Sequence, residues 1–123
     1  MCAAAVADHS RLVHSDFNPK NLVVAQDGAG WRVSAVLDWE FAFAGPPLTD
    51  VGNMLRFGDD LPDGFEDAFI ESFAAGGGEL PPDWRRIAEA LDLVALLDLA
   101  ARERDNPIVS RARAKLRRLA ATA

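Results

Sequence analysis

The 123 residues carry 13 Lys and Arg against 19 Asp and Glu, a formal net charge of −6, and half of them are apolar. That balance fits one globular domain with a core of its own and excludes a disordered tail, a collagen and a membrane protein. The single cysteine, Cys2, excludes an intramolecular disulfide, and with only His9 and His14 beside it the usual zinc sets cannot be assembled. Met1–Ala7 reads MCAAAVA, without a basic n-region or a long apolar segment, so no signal peptide is expected and a cytoplasmic location is. The apolar stretch LVALLDLAA near the end is interrupted by Asp98 and too short to span a bilayer, so no membrane partner is expected.

In chain order, residues 1–11 read as the end of an Ala-rich helix, and Leu12-Val13 as a buried lead-in to a polar segment from His14 to Asn21. Leu22–Ala25 has the branched residues of a strand, Gln26–Gly30 is turn chemistry, and Trp31–Leu37 is a second strand that turns continuously apolar. Together they predict one β-hairpin. Phe41–Pro47 reads as irregular, and Thr49 as the cap of a short helix over 50–57. Asp63 and Glu66 resemble a capping box ahead of a helix with Phe65, Phe69 and Phe73 four apart. After Gly76–Gly78 and Pro81-Pro82, a helix over 83–104 carries Ile87, Leu91, Val94 and Leu97 as one stripe, widened by Leu93, Leu96 and Leu99, and is expected to be buried on most sides. A last helix over 109–121 turns Val109, Ala112, Leu116 and Leu119 inward.

Charge is unevenly spread. All 19 acids lie in residues 1–108, whereas 109–123 hold Arg111, Arg113, Lys115, Arg117 and Arg118 and no acid. So acidic a body would repel nucleic acid, whose binding rests on neutralised phosphates, and the basic tail reads as a solvated helix face rather than as a contact for RNA or an anionic surface. The acids between Gly58 and Glu71 read likewise as a solvated loop and helix start. Neither Gly28–Gly30 nor Gly76–Gly78 matches a phosphate-binding glycine loop, so both are connections.

The chemistry concentrates in LVHSDFNPKNLVV and, after the hairpin, VLDWE. With the turn centred between residues 29 and 30, Asn21 and Asp38 should face each other where the two ends of the hairpin meet, roughly 5 Å apart at Cα. A carboxamide and a carboxylate are hard oxygen donors that suit Mg²⁺ better than zinc. Asp16, on a loop stiffened by Pro19, brings a second carboxylate beside that site without acting as a ligand. Phosphoryl transfer from a nucleotide needs such parts: an acceptor for the hydroxyl proton and a metal to neutralise the phosphates. His14, beside an apolar pair, reads as a hydrogen-bonded core histidine. Lys20 is either a phosphate contact or a solvated loop lysine, and Glu40 a structural or solvated residue.

At these residues the sequence resembles a known family. HSDFNPKN and LDWE look like the catalytic loop and metal-binding Asp of the aminoglycoside phosphotransferase/choline kinase-like small-molecule kinases, and GPPLTDVGNMLR resembles that family's Gly-Pro-x-x-Asp segment. The resemblance implies an α+β fold: the mainly helical C-terminal lobe of a protein-kinase-like fold, with one small β-hairpin carrying the catalytic loop. It implies Asp16 as catalytic base, Asn21 and Asp38 as Mg²⁺ ligands, His14 and Asp50 as structural supports of the loop, ATP as co-substrate, and a small-molecule hydroxyl as acceptor. Protein kinases place a Lys two residues after the catalytic Asp, and here that position is Asn18. No Lys and no Gly-rich strand precede Asp16. The 123 residues are therefore expected to form a single partial domain without the nucleotide lobe, with that lobe truncated or supplied by another chain, and with little stand-alone activity. The alternative is a non-catalytic pseudokinase remnant or the partner-binding half of a split kinase. A metal-dependent phosphate-ester hydrolase would have too few ligands.

Overall fold

The computed structural model describes residues 10–104 and 106–122. The chain divides into two compact units, the first ending at Leu91 and the second beginning at Asp92. The class is α+β, with four α-helices and two small sheets among the described residues. The expected helix end over 1–11 falls mostly outside them.

Among the described residues the first unit runs through β1 (Arg11–Val13), a 3-10 turn (Pro19–Asn21), β2 (Leu22–Asp27), β3 (Gly30–Val36) and β4 (Phe43–Gly45). The expected hairpin forms from β2 and β3, but it is not the only sheet. β4 returns to pair antiparallel with β1, Leu12 opposite Ala44, and closes the base of the whole excursion. The expectation of an irregular Phe41–Pro47 is corrected accordingly. Two three-residue strands are too short to show a period of two in sequence, and only their long-range pairing makes them strands. Leu12, expected to be buried, is exposed, while Val13 is fully buried.

The hairpin's register also corrects the expected one. Asp27 pairs with Gly30 across the two-residue connection Gly28-Ala29, whose amide at Ala29 donates to Asp27 Oδ1 at 2.9 Å. Gly30 takes φ 118°, where a side chain would be strained. The pairing then slips between Val23 and Val24, leaving Ser34 as the extra residue of a bulge, and Ser34 Oγ donates to Val23 O at 3.1 Å. Beyond the bulge, Leu37 N–H donates to Asn21 O at 2.8 Å. Asn21 therefore faces Leu37, and Asp38 is one residue further on.

Helix α1 (Leu48–Met54) begins earlier than expected, and Thr49 does not cap it. The flanking residue is Pro47, and Thr49 is buried inside the first turn with its Oγ1 unpaired among the described residues. Helix α2 (Phe65–Ala75) likewise lacks the expected capping box. Gly64, which has no side chain to cap with, precedes it at φ 80°, and Glu66 pairs with Arg85 instead. Leu48 and Val51 of α1 form the core with Ile87 and Ala88 of α3 (Trp84–Ala101), flanked by Phe69, Ile70 and Phe73 of α2. Full burial of one such side chain is worth about 1.5–3 kcal/mol, so packing against α2 and α3 fixes α1, on which the site depends.

The expected stripe on α3 is only half right. Ile87 is buried and Leu91 packs partly against the core, but Val94 and Leu97 are exposed. Periodicity alone could not tell which of the apolar positions between 87 and 99 face inward, because they cover most of the helix's circumference. In the second unit, Leu96 and Leu99 of α3 and Val109 and Ala112 of α4 (Pro107–Ala121) are buried. Asn106 Oδ1 caps α4 by accepting from Val109 N–H at 3.1 Å, and Arg113 donates to the carbonyls of Ala100 and Arg102. No helix among the described residues is long and apolar enough to cross a membrane.

Candidate active site

The loop between β1 and β2 is shaped by a residue whose backbone rarely looks like this. Ser15 has φ 69°, left-handed without being glycine, a conformation costing about 1–2 kcal/mol. Every polar group of Ser15 is engaged to hold it there. Its N–H donates to Asp50 Oδ1 at 2.9 Å, its carbonyl accepts from Asn53 Nδ2 at 3.1 Å, and its Oγ donates to Phe41 O at 2.8 Å. Asp50 Oδ2 also accepts the His14 N–H, at 2.8 Å. One carboxylate on α1 thus takes two consecutive backbone amides of a loop 35 and 36 residues earlier. Burial pushes the Asp50 carboxyl above its ordinary value, and the amides of His14 and Ser15 pull it part of the way back.

Asn53 sits one helical turn after Asp50, on the same face of α1. Its Oδ1 accepts from Arg56 Nη2 at 3.1 Å, and both side chains are buried. His14 is buried as well. Its Nδ1 accepts the Asp16 N–H at 3.1 Å and its Nε2 lies 2.7 Å from Leu37 O, so these partners set the tautomer with the proton on Nε2. The Trp39 ring meets the imidazole edge-on at 4.6 Å between centroids, and Trp39 Nε1 donates to Val36 O. The imidazole therefore links the Asp16 backbone to the end of β3.

Asp16 emerges from this frame with its side chain about a quarter exposed, at 28%. Asn18 Nδ2 donates to its Oδ1 at 2.9 Å, and Asn21 Nδ2 to its Oδ2 at 3.1 Å. Lys20 Nζ lies 3.7 Å from the same Oδ2 on a mostly exposed side chain, an ion pair of small net worth. The geometry places Lys20 at the carboxylate.

Asn21 is buried, and its amide nitrogen also donates to Asp16 O at 2.8 Å. Its Oδ1 accepts nothing among the described residues and is not wholly shut from solvent. Asp38, at φ 65°, is exposed and makes no hydrogen bond or ion pair among the described residues. The two do not face each other across the ladder as the sequence suggested, because the bulge shifts the register by one residue where two were needed. They remain neighbours through Leu37. No three His, Cys, Asp or Glu residues cluster as a metal cage among the described residues. Asn21 Oδ1 and the Asp38 carboxylate are nonetheless hard oxygen donors of the type that Mg²⁺ takes, one or two at a time beside substrate phosphates and water.

A model of the phosphotransferase enzyme family (APH) matches residues 1–90. The chain belongs to that family. The match covers the whole loop, the hairpin and helices α1 and α2, so the aminoglycoside phosphotransferase-like resemblance of HSDFNPKN and LDWE is shown, and the enzyme class is that of the kinase-like phosphotransferases. No curated protein and no solved structure matches this phosphotransferase-family chain.

Sequence reasoning missed Ser15, Asn18, Asn53, Arg56 and Trp39 as parts of this site. Asn53 carried a signal, its spacing of three from Asp50 on one helix. Ser15 carried none, since nothing in the residue type announces a left-handed backbone.

Proposed function

We propose that the protein transfers the γ-phosphoryl group of ATP to a hydroxyl of a small molecule. In this reading Asp16 receives the proton as the acceptor oxygen bonds to the γ-phosphorus. The bond from that phosphorus to the bridging oxygen breaks, and its electron pair leaves on ADP. Asn21 Oδ1 and Asp38 would hold Mg²⁺, which when bound neutralises phosphate charge. Lys20 can swing from Asp16 to a phosphate, as a point charge on a flexible stem. His14, Asp50, Asn53 and Arg56 hold the loop and contact no substrate.

One observation carries the reading: Asp16, part exposed, is gripped through both carboxylate oxygens by amides while the neighbouring Asn21 oxygen and Asp38 are left free. A base that is oriented but accessible, next to unclaimed hard donors, is what phosphoryl transfer requires and what a structural turn does not. The reading includes a second, nucleotide-covering lobe from the same or another chain. Exposed Trp31, Val24, Val33 and Phe41 give it apolar surface to cover.

The test is transfer of labelled γ-phosphate to a panel of hydroxyl acceptors, with Mg-ATP binding followed by calorimetry. Asp16→Asn should lower turnover by about 10²–10⁴ while nucleotide affinity is kept. Equal loss of both would move Asp16 from catalysis to folding or metal binding. Mg-ATP binding with no transfer to any acceptor, and none restored by a partner lobe, would favour the pseudokinase alternative.

A further inference from the structure

We infer that Asn18 is a positioning residue for the Asp16 carboxylate, setting which way the base faces; the inference rests on the phosphotransferase reading for its consequence, though not for its geometry. Asn18 stands directly before the 3-10 turn that opens at Pro19, in extended backbone at φ −146° and ψ 167°. An Asn there ordinarily turns its side-chain oxygen onto an amide of the following turn. Here it makes no such cap. Its Nδ2 points back instead and donates to Asp16 twice, to the backbone carbonyl at 3.1 Å and to Oδ1 at 2.9 Å.

Asn21 makes the matching pair from the other side, to Asp16 O at 2.8 Å and to Oδ2 at 3.1 Å. Two carboxamides therefore bridge the same backbone carbonyl to the two oxygens of one carboxylate. Rotating the side chain about its Cα–Cβ bond breaks both bridges together, so its rotamer is fixed while the outer edge of the carboxylate stays open. Asn18 supplies the one donor that Oδ1 has among the described residues. Without it the carboxylate is held on one side only, and Lys20 at 3.7 Å from Oδ2 draws it toward solvent. Both bridging residues donate from a neutral group, so they orient the base without adding a full charge beside it.

The positioning is read directly in the intact chain from the three-bond couplings of the Asp16 side chain, by NMR. They should report one rotamer in the unaltered protein and an average of several in Asn18→Ala, with the hairpin's amide shifts unmoved. Asn18→Asp, which sets a carboxylate against a carboxylate, should average them further. In phosphoryl transfer, Asn18→Ala should lower kcat by about tenfold to a hundredfold and leave KM for ATP unchanged, as expected for a misaligned base. Should Asn18→Ala fail to fold, Asn18→Ser, which keeps a short turn-compatible side chain, carries the same comparison. Unchanged couplings overturn the inference, and so does a rise in KM for ATP that accounts for the whole loss, which would make Asn18 a nucleotide contact. If the unaltered protein transfers no phosphate at all, the functional reading fails and the couplings alone decide the positioning.

Discussion

The β1–β2 loop and the β2–β3 hairpin are neighbours in sequence but are stabilised in opposite ways. The hairpin is local: a two-residue turn, a ladder and one bulge hold it, and Trp31, Val24 and Val33 remain exposed to water. The loop is held by distant residues, with Asp50 and Asn53 reaching it from α1 across 35 to 38 positions. Its His14 and Asn21 are buried and its polar side chains are paired, whereas the hairpin's apolar ones are not buried. A site that must keep one geometry is thus built from long-range hydrogen bonds to a helix fixed in the core. The segment beside it is left with a surface that something else can cover.

The sharpest way to break this contrast is at Asp50. Asp50→Ala strips two charge-assisted bonds and leaves the amides of His14 and Ser15 without acceptors, so unfolding in urea should show a loss of about 3 kcal/mol. The same carboxyl has a pH signature. Because its folded-state pKa is raised, the native chain keeps the proton over a range in which the unfolded chain has released it. Its contribution is therefore fully present below the unfolded value, near pH 3.8, and declines as pH rises through the raised pKa. The stability difference between the unaltered protein and Asp50→Asn, followed by urea midpoints against pH, should shrink over that window. A difference that grows would mean that the two amides outweigh burial.

A smaller effect is expected one turn along. Asn53→Ala removes one hydrogen bond from the Ser15 carbonyl and one from the Arg56 guanidinium and should cost about 1.5 kcal/mol. Hydrogen exchange at the His14 and Ser15 amides should quicken with it. The smallest effect belongs to the hairpin. Trp31→Gln, at a side chain 70% exposed, should change stability by less than about 0.5 kcal/mol. A larger loss would show that the hairpin face is already covered.

Much of the candidate site was legible in the sequence for a chemical reason. Asp16, Asn21 and Asp38 are residue types with few uses in such an order, and the pattern H-x-D-x-x-x-x-N can be read without knowing any contact. The strands around Asp27-Gly28 were legible because branched residues flank turn residues. The loop's supports were less so. Asn18 was readable only as the absence of a lysine, because its role depends on which way an amide turns. The register of Asn21 and Asp38 was misjudged by one residue because the turn is centred on Gly28-Ala29, one position earlier than expected, and the bulge at Ser34, which leaves no mark in an alternating strand, makes up only one of the two residues lost. The caps expected at Thr49 and Asp63 failed for a related reason: cap motifs describe isolated helix ends, and here a proline and a left-handed glycine occupy those places.

The sequence by itself determined the family, the order of the chemical groups along the chain and the existence of the hairpin, since each depends on residue type and near-neighbour spacing. The tertiary structure alone decided the β1–β4 pairing, the left-handed turn at Ser15, the burial of Asn53 with Arg56 and the direction of the Asp16 carboxylate. Those features arise from groups tens of residues apart that must satisfy one another once water is excluded, and no local pattern records which of them will meet.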